Sequence, residues 1–220
     1  MTLVKNTLMP VSKSQAPGKT SFSADRYASK QILNFSAESI SRCGYCAASD
    51  SFNDAISSLT PSSVATPVIF QVAHWFLNKA PMSDKKLQKL CYYAYAWYIV
   101  FFNDAEAINN EKDIKVLCDD YFEAWIHGPV CRRLYNKYRQ YGWENIPSEV
   151  KAPAFNEDVT DLLNQVWDIY GSLSADQLEH LTHQEDPWNQ ARKGVRFGDA
   201  CTNKISPLAI FNYYSKLQNE

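Results

Sequence analysis

The chain has no Walker loop, no G-x-G-x-x-G and no G-x-S-x-G, and only seven glycines are spread over its 220 residues. Those absences exclude the common backbone cradles for phosphate and the strained turn that presents a serine nucleophile. H-E-x-x-H is missing too, as are paired carboxylates at helical metal spacing. "RCGYC", from Arg42 to Cys46, stands without the second C-x-x-C that a zinc site needs, and no strand-to-helix pattern surrounds it to suggest redox use. Cys43, Cys46, Cys91, Cys118, Cys131 and Cys201 are scattered rather than framed, so free thiols in a reducing compartment are expected. No run of about 18 apolar residues exists, which excludes a helical membrane span. The first twenty residues contain no continuous apolar stretch of the kind a secretory signal requires, so a cytoplasmic location is expected. A formal charge of -2 argues against nucleic-acid binding, which usually shows a basic excess. No internal repeat is visible.

What is present is an ordinary globular composition enriched in rings. Hydrophobic residues make up 45% and aromatic residues 14%, enough for one sizeable core. Residues 1–66 differ from the rest. They are serine-frequent, lack a sustained hydrophobic period, and are interrupted by Pro10, Pro17 and Gly18. They are expected to form a weakly ordered N-terminal extension, with Tyr27, Ile32, Leu33 and Phe35 as anchors for a partner. Residues 67–220 are expected to form a mainly α, compact multi-helix domain with a small β-hairpin, an α+β variant of a helical fold.

Within that domain, Thr66 and Pro67 suit a helix start, and Val68, Ile69, Val72, Ala73, Phe76 and Leu77 follow helical spacing up to Pro81. Ser83 suits the N-cap of a long central helix whose inward stripe is Leu87, Leu90, Cys91, Ala94, Trp97, Tyr98 and Phe101. After a polar excursion from Asn103 to Lys115, Val116 and Leu117, the turn signal "CDD" and "YFEAWI" suggest a small hairpin. The next helix is predicted to start at Pro129, with Val130, Leu134, Tyr138 and Tyr141 inward, and to end at Gly142. Another is predicted between an Asn156 cap and Gly171, burying Val159, Leu162, Leu163, Val166, Trp167 and Tyr170. "SADQ" at Ser174 has the capping-box pattern for a further helix through Leu178 and Leu181. A last helix follows a Ser206 cap, with Leu208, Phe211, Tyr214 and Leu217 inward.

"EHLTHQEDPWNQAR", from Glu179 to Arg192, concentrates two of the four histidines with three carboxylates. His180 and His183 are three apart and could share one helix face, but no third ligand follows at metal spacing. General acid-base work by His183 with Glu185 or Asp186 has no nucleophile nearby in sequence. The preferred reading is a turn between helices: His183 bonds orphan carbonyls at one helix end, Asp186 caps the next helix before Pro187, and Trp188 pins the turn. His183 and Trp188 are then expected to be buried. Arg132, Arg133, Lys137 and Arg139 interleave with Tyr135, Tyr138 and Tyr141, which suits either a nucleic-acid face or, preferred at this net charge, the solvated face of an amphipathic helix.

Three stretches, "MSDKKLQKLCYYAYAWY", "FEAWIHGPVCRRLYNKYRQYG" and "YGSLSADQLEHLTHQEDPWNQAR", together resemble the Panacea (SocA-like) antitoxin domain family over residues 67–217. The family's K-L-Q-K-L-x-Y-Y helix corresponds to Lys86, Leu87, Gln88, Lys89, Leu90, Tyr92 and Tyr93. Its E-A-W-x-x-G-P-V turn corresponds to Glu123, Ala124, Trp125, Gly128, Pro129 and Val130. Its L-T-H-x-x-x-P-W turn corresponds to Leu181, Thr182, His183, Pro187 and Trp188. The resemblance implies a non-enzymatic antitoxin that binds and neutralises a cognate protein toxin, with these positions acting as scaffold. It implies no cofactor and no metal. A variant of the family acts as an adaptor that delivers its toxin to a ClpXP-type protease. DNA-binding autoregulation and a metal-dependent enzyme are the remaining alternatives. Residues 1–66 and the excursion from Asn103 to Lys115 exceed the family pattern and are candidates for a partner-specific element. Arg132, Arg133, Tyr135 and Tyr138 are the candidate partner-binding residues, because binding energy concentrates in Trp, Tyr and Arg.

Overall fold

The computed structural model describes residues 68–148 and 154–218. The expectations for the extension, for Cys43 and Cys46, and for the Thr66 cap lie outside the described residues. Among those described, seven α-helices surround one two-stranded antiparallel hairpin. They are α1 (Val68–Lys79), α2 (Asp84–Phe101), β1 (Glu123–Trp125), β2 (Gly128–Val130), α3 (Arg132–Tyr138), α4 (Glu157–Tyr170), α5 (Ala175–Gln184), α6 (Asp186–Ala191) and α7 (Pro207–Gln218). Short 3-10 turns fill the excursion after α2 and extend α3 to Tyr141.

The caps are where local chemistry places them. The Ser83 side chain accepts from the Lys86 amide, and Asn156 Oδ1 accepts from the Val159 amide at 2.9 Å. Ser174 and Gln177 form the reciprocal box, with bonds of 2.8 and 3.2 Å, and Ser206 Oγ accepts from the Ala209 amide. Each satisfies amide donors that the first helical turn leaves without partners.

Helix α2 is the axis of the fold. It packs against α1, α3, α4, α5, α7 and β2, and is buried around almost its whole circumference rather than along one stripe. Leu87, Leu90, Cys91, Ala94 and Trp97 are buried as expected, whereas Tyr98 and Phe101 are half-buried at its far end. Aromatic stacking locks neighbours onto the axis: Tyr93 lies on Tyr170 at 3.9 Å, and the Trp97 indole donates to the Tyr170 hydroxyl. Four described cysteines, Cys91, Cys118, Cys131 and Cys201, are buried free thiols.

Four expectations are corrected. Val68 is exposed, because α1 begins there and its inward face starts at Ile69. Trp167 is half-buried. Its ring lies beside Gly171, whose own backbone is not left-handed; an added Cβ there would collide with the Trp167 carbonyl and ring. Pro129 does not open a helix. It lies in β2 opposite Ala124, so the second hairpin arm is Gly128–Val130 rather than the segment before "CDD", and α3 starts only after Cys131. Asp186 is not a cap: it is the first helical residue of α6, and Glu185 occupies the cap position without a side-chain bond to the helix.

Replacing Ser174 by Ala removes the α5 capping box and is expected to lower stability by about 1 kcal/mol, read by urea unfolding.

Candidate functional site

The seven buried polar or charged residues among those described are Asp84, Gln88, Lys89, Glu123, Thr182, Glu185 and Arg192. Gln88, Lys89, Glu123, Thr182 and Arg192 gather around the hairpin. Each strand has only three residues, and an isolated pair of this size is marginal in water. Its two edges are closed differently. On the β1 side, the segment before α7 runs alongside: the Ala124 amide donates to the Asn203 carbonyl at 2.9 Å and the Ile205 amide to the Phe122 carbonyl at 2.8 Å. On the β2 side, helix α2 supplies side chains in place of a strand. Gln88 Oε1 accepts from the Cys131 amide at 2.9 Å, its Nε2 reaches back to the Cys131 carbonyl, and Lys89 Nζ donates to the Pro129 carbonyl at 3.0 Å. Proline has no amide to leave unpaired, which suits it to this edge.

Gly128 makes the arrangement possible. Its φ is +92°, and an added Cβ would stand 2.6 Å from Thr182 Oγ1 and 2.7 Å from Lys89 Cε. One glycine is therefore the meeting point of the three stretches singled out in the sequence. The third stretch completes the junction. Trp188 Nε1 donates to the Trp125 carbonyl at 3.0 Å, and His183 stacks on Trp188 at 4.1 Å. The His183 ring bonds the backbone at Ile126 in the hairpin turn, not the end of its own helix as expected. Trp188 is buried and His183 half-buried.

Glu185 is a structural acceptor. Its two oxygens receive the Tyr93 hydroxyl at 2.9 Å and the Tyr214 hydroxyl at 2.7 Å, linking α2 to α7 through the turn after α5. Burial raises both phenols, so these donors stay protonated. His180 is exposed and bonds Gln184, so the two histidines do not converge. Among the described residues, no three His, Cys, Asp or Glu side chains are grouped to hold a metal ion.

Electrostatics tune the junction. Burial pushes the Lys89 ammonium down to about 7, partly opposed by Glu179 and reinforced by Lys85. Burial pushes the Asp84 carboxyl up to about 6, opposed by its bond from Gln88 and the charge of Lys89. Burial works to raise Glu179, but its bonds with Lys85 and His127 outweigh that and lower it. Lys86 donates to the Gly171 carbonyl at 2.7 Å and so closes the C-terminal end of α4.

Above the junction lies the outward face. Glu123, buried in β1, takes both Arg132 Nε at 3.0 Å and Nη2 at 2.6 Å, and also the Trp125 indole at 2.7 Å. Arg132 lies over the Trp125 ring, which meets Tyr135 edge-on at 4.8 Å. Arg133 pairs with Asp120 and lies over Phe70. Arg132 and Arg133 are exposed and Tyr135 half-buried, but Tyr138 is only 4% exposed and belongs to the core. Sequence reasoning did not single out Arg192, whose guanidinium donates to the Ala124 carbonyl at 2.8 Å; no local pattern marks such a bond.

Residues 87–189 match the family model described as antitoxin SocA-like, Panacea domain. Over that stretch the chain is similar to the SocA-like Panacea domain. The matched stretch contains the junction from Leu87 to Trp188, including all three motif segments but for Lys86. Antitoxin SocA of Caulobacter vibrioides (strain NA1000 / CB15N) is 27% identical over 141 residues, covering 56% of this chain and 69% of that protein. No solved structure matches significantly. No helix among the described residues is long and apolar enough to cross a membrane.

Two outcomes follow for the junction. Gly128→Ala is expected to cost at least about 1–3 kcal/mol from backbone strain alone, with the side-chain collision added, measured by chemical denaturation. Lys89 has a folded-state pKa below its unfolded value, so wild-type stability should rise as pH climbs from about 7 toward the unfolded lysine pKa. In Lys89→Met that part of the slope should vanish, whatever the variant's absolute stability. Unfolding curves at pH 6.5 to 9.5 check it; an unchanged slope contradicts the assignment.

Proposed function

We propose that this chain is the antitoxin of a toxin-antitoxin pair and neutralises a cognate protein toxin by direct, non-catalytic binding in the cytoplasm. The Panacea match and the likeness to antitoxin SocA support the class. The observation that carries direct binding is the division of the polar residues into two sets. Glu185, a candidate for acid-base work in the sequence, is engaged in buried structural bonds with Tyr93 and Tyr214. Arg132, Arg133, Trp125 and Tyr135 instead form an outward cluster of the residue types that dominate interface energies. We assign toxin contact to Arg132, Arg133 and Tyr135, with Tyr138 supporting them from the core. Residues 1–66 are proposed as a separate partner-contacting extension and 67–220 as the folded domain.

The test is co-expression with the product of the neighbouring gene. Growth should be rescued, and the two chains should copurify as a complex in which the toxin persists after translation is stopped. A bound toxin that disappears within minutes supports delivery to a protease instead. A neighbouring product that is neither toxic nor bound contradicts the assignment. Tyr135→Ala is the cleanest surface variant, because Arg132→Ala would also strand the buried Glu123 carboxylate. It is expected to weaken binding about tenfold without unfolding the domain, read by calorimetric titration.

A further inference from the structure

Helix α3 and the turn that extends it, from Arg132 to Tyr141, contain Arg132, Arg133, Lys137 and Arg139 and no acidic residue. Arg132 and Arg133 share their charge with Glu123 and Asp120. Lys137, Arg139 and Lys204 have no carboxylate within ion-pair distance among the described residues. The cations lie over rings. Lys137 is 4.6 Å from the centre of the Phe70 ring, Arg133 is 5.6 Å from the centre of the same ring, and Lys204 is 3.7 Å from the centre of the Tyr121 ring. Tyr121 is 41% exposed, so that pair is presented outward. Such stacking holds long side chains in place before a partner arrives and reduces the entropy lost on binding.

Beside Lys137 is a cleft of about 170 Å³ between α1, α3 and the chain that follows Gly142, lined by His74, Leu77, Lys137, Tyr138, Tyr141 and Ile146. It is smaller than the roughly 300–1,000 Å³ typical of cofactor and small-molecule sites, and its size suits one side chain. Its floor is apolar and its rim is cationic. Lys137 Nζ is 3.3 Å from His74 Nε2, and burial, with Lys137 adding to it, lowers the His74 pKa, so the imidazole accepts from the ammonium rather than repelling it. The Tyr138 hydroxyl is buried with no hydrogen-bond partner among the described residues. A cation with no carboxylate within ion-pair distance among the described residues and a neutral imidazole meet at one small opening.

We propose that the face formed by α1, α3 and the hairpin docks an acidic segment of a partner protein, with one carboxylate side chain of that segment seated in the cleft at Lys137. This rests on the toxin-binding reading and specifies the chemistry of the toxin surface. Charge complementarity selects the occupant: an acidic protein segment presents a few carboxylates to a few fixed cations. A nucleic acid would present a long polyanion to a chain whose net charge is -2.

The experiment uses the full chain and, as probe, the product of the neighbouring gene. Affinity is measured for the wild type, Lys137→Glu, the double variant Arg133→Glu with Lys204→Glu, and Lys216→Glu, an exposed position on α7 outside this face. Wild-type binding should weaken with added salt. Lys137→Glu and the double variant should each bind at least about tenfold more weakly, and Lys216→Glu within twofold of wild type. In the wild-type complex the His74 ring resonances should shift, because a carboxylate arrives beside them. If the wild type binds and neutralises the product while all variants bind within twofold, the docking face is refuted and the antitoxin reading stands. If the wild type neither binds nor neutralises it, the antitoxin reading falls and the acidic partner with it. Retention of a DNA duplex by this face in place of protein also overturns the proposal.

Discussion

A hairpin with three residues per strand exposes two edges and cannot close either by itself, and the helical domain is built around solving that problem. Gln88 and Lys89 close one edge from inside the central helix, and the segment at Asn203 to Ile205 closes the other. The first closure is demanding. A buried ammonium costs several kcal/mol unless it is bonded, and Lys89 is 1% exposed. Its presence forces Gly128 to lack a side chain, forces Pro129 to present its carbonyl inward, and brings Thr182 against the same glycine. From this constraint follow the position of β2 on α2 and the path of the chain into α3.

The outward face inherits its order from the buried one. Glu123 points its carboxylate at Arg132 because β1 is held in register by the two closed edges. Trp125 can turn outward toward Tyr135 because its carbonyl is fixed by Trp188. The outward face is tied to the junction at one exposed residue, Arg132, through the buried Glu123, whereas Tyr135 meets it through the Trp125 ring.

Local chemistry was readable from the sequence. Ser83, Asn156, Ser174 and Ser206 cap helices through bonds that close within three residues, and the heptad-like spacing of Val159, Leu162, Leu163 and Val166 marks one buried face. The second hairpin arm was not readable, because Pro129 is assigned to strand or helix by Lys89, forty residues away. The role of Glu185 was not readable for the same reason: in the sequence it stands only as a partner for His183, whereas two tyrosines from α2 and α7 claim its oxygens. The four-residue spacing of Leu134 and Tyr138 did signal that Tyr138 points inward, which removes it from the exposed set. The motif residues were legible as a group; what they do together appears only when Gln88, Lys89, Gly128 and Thr182 are seen at one point.

The most direct measurement of this account is native-state hydrogen exchange at the Cys131 amide. Its only fold-defining bond in this arrangement is to Gln88 Oε1, a side chain on another element. The amide should exchange through global unfolding in the wild type, and much faster in Gln88→Ala while amides within α4 keep their protection. Rapid exchange of Cys131 in the wild type, at the rate of exposed loop amides, would contradict the claim that α2 closes the hairpin edge.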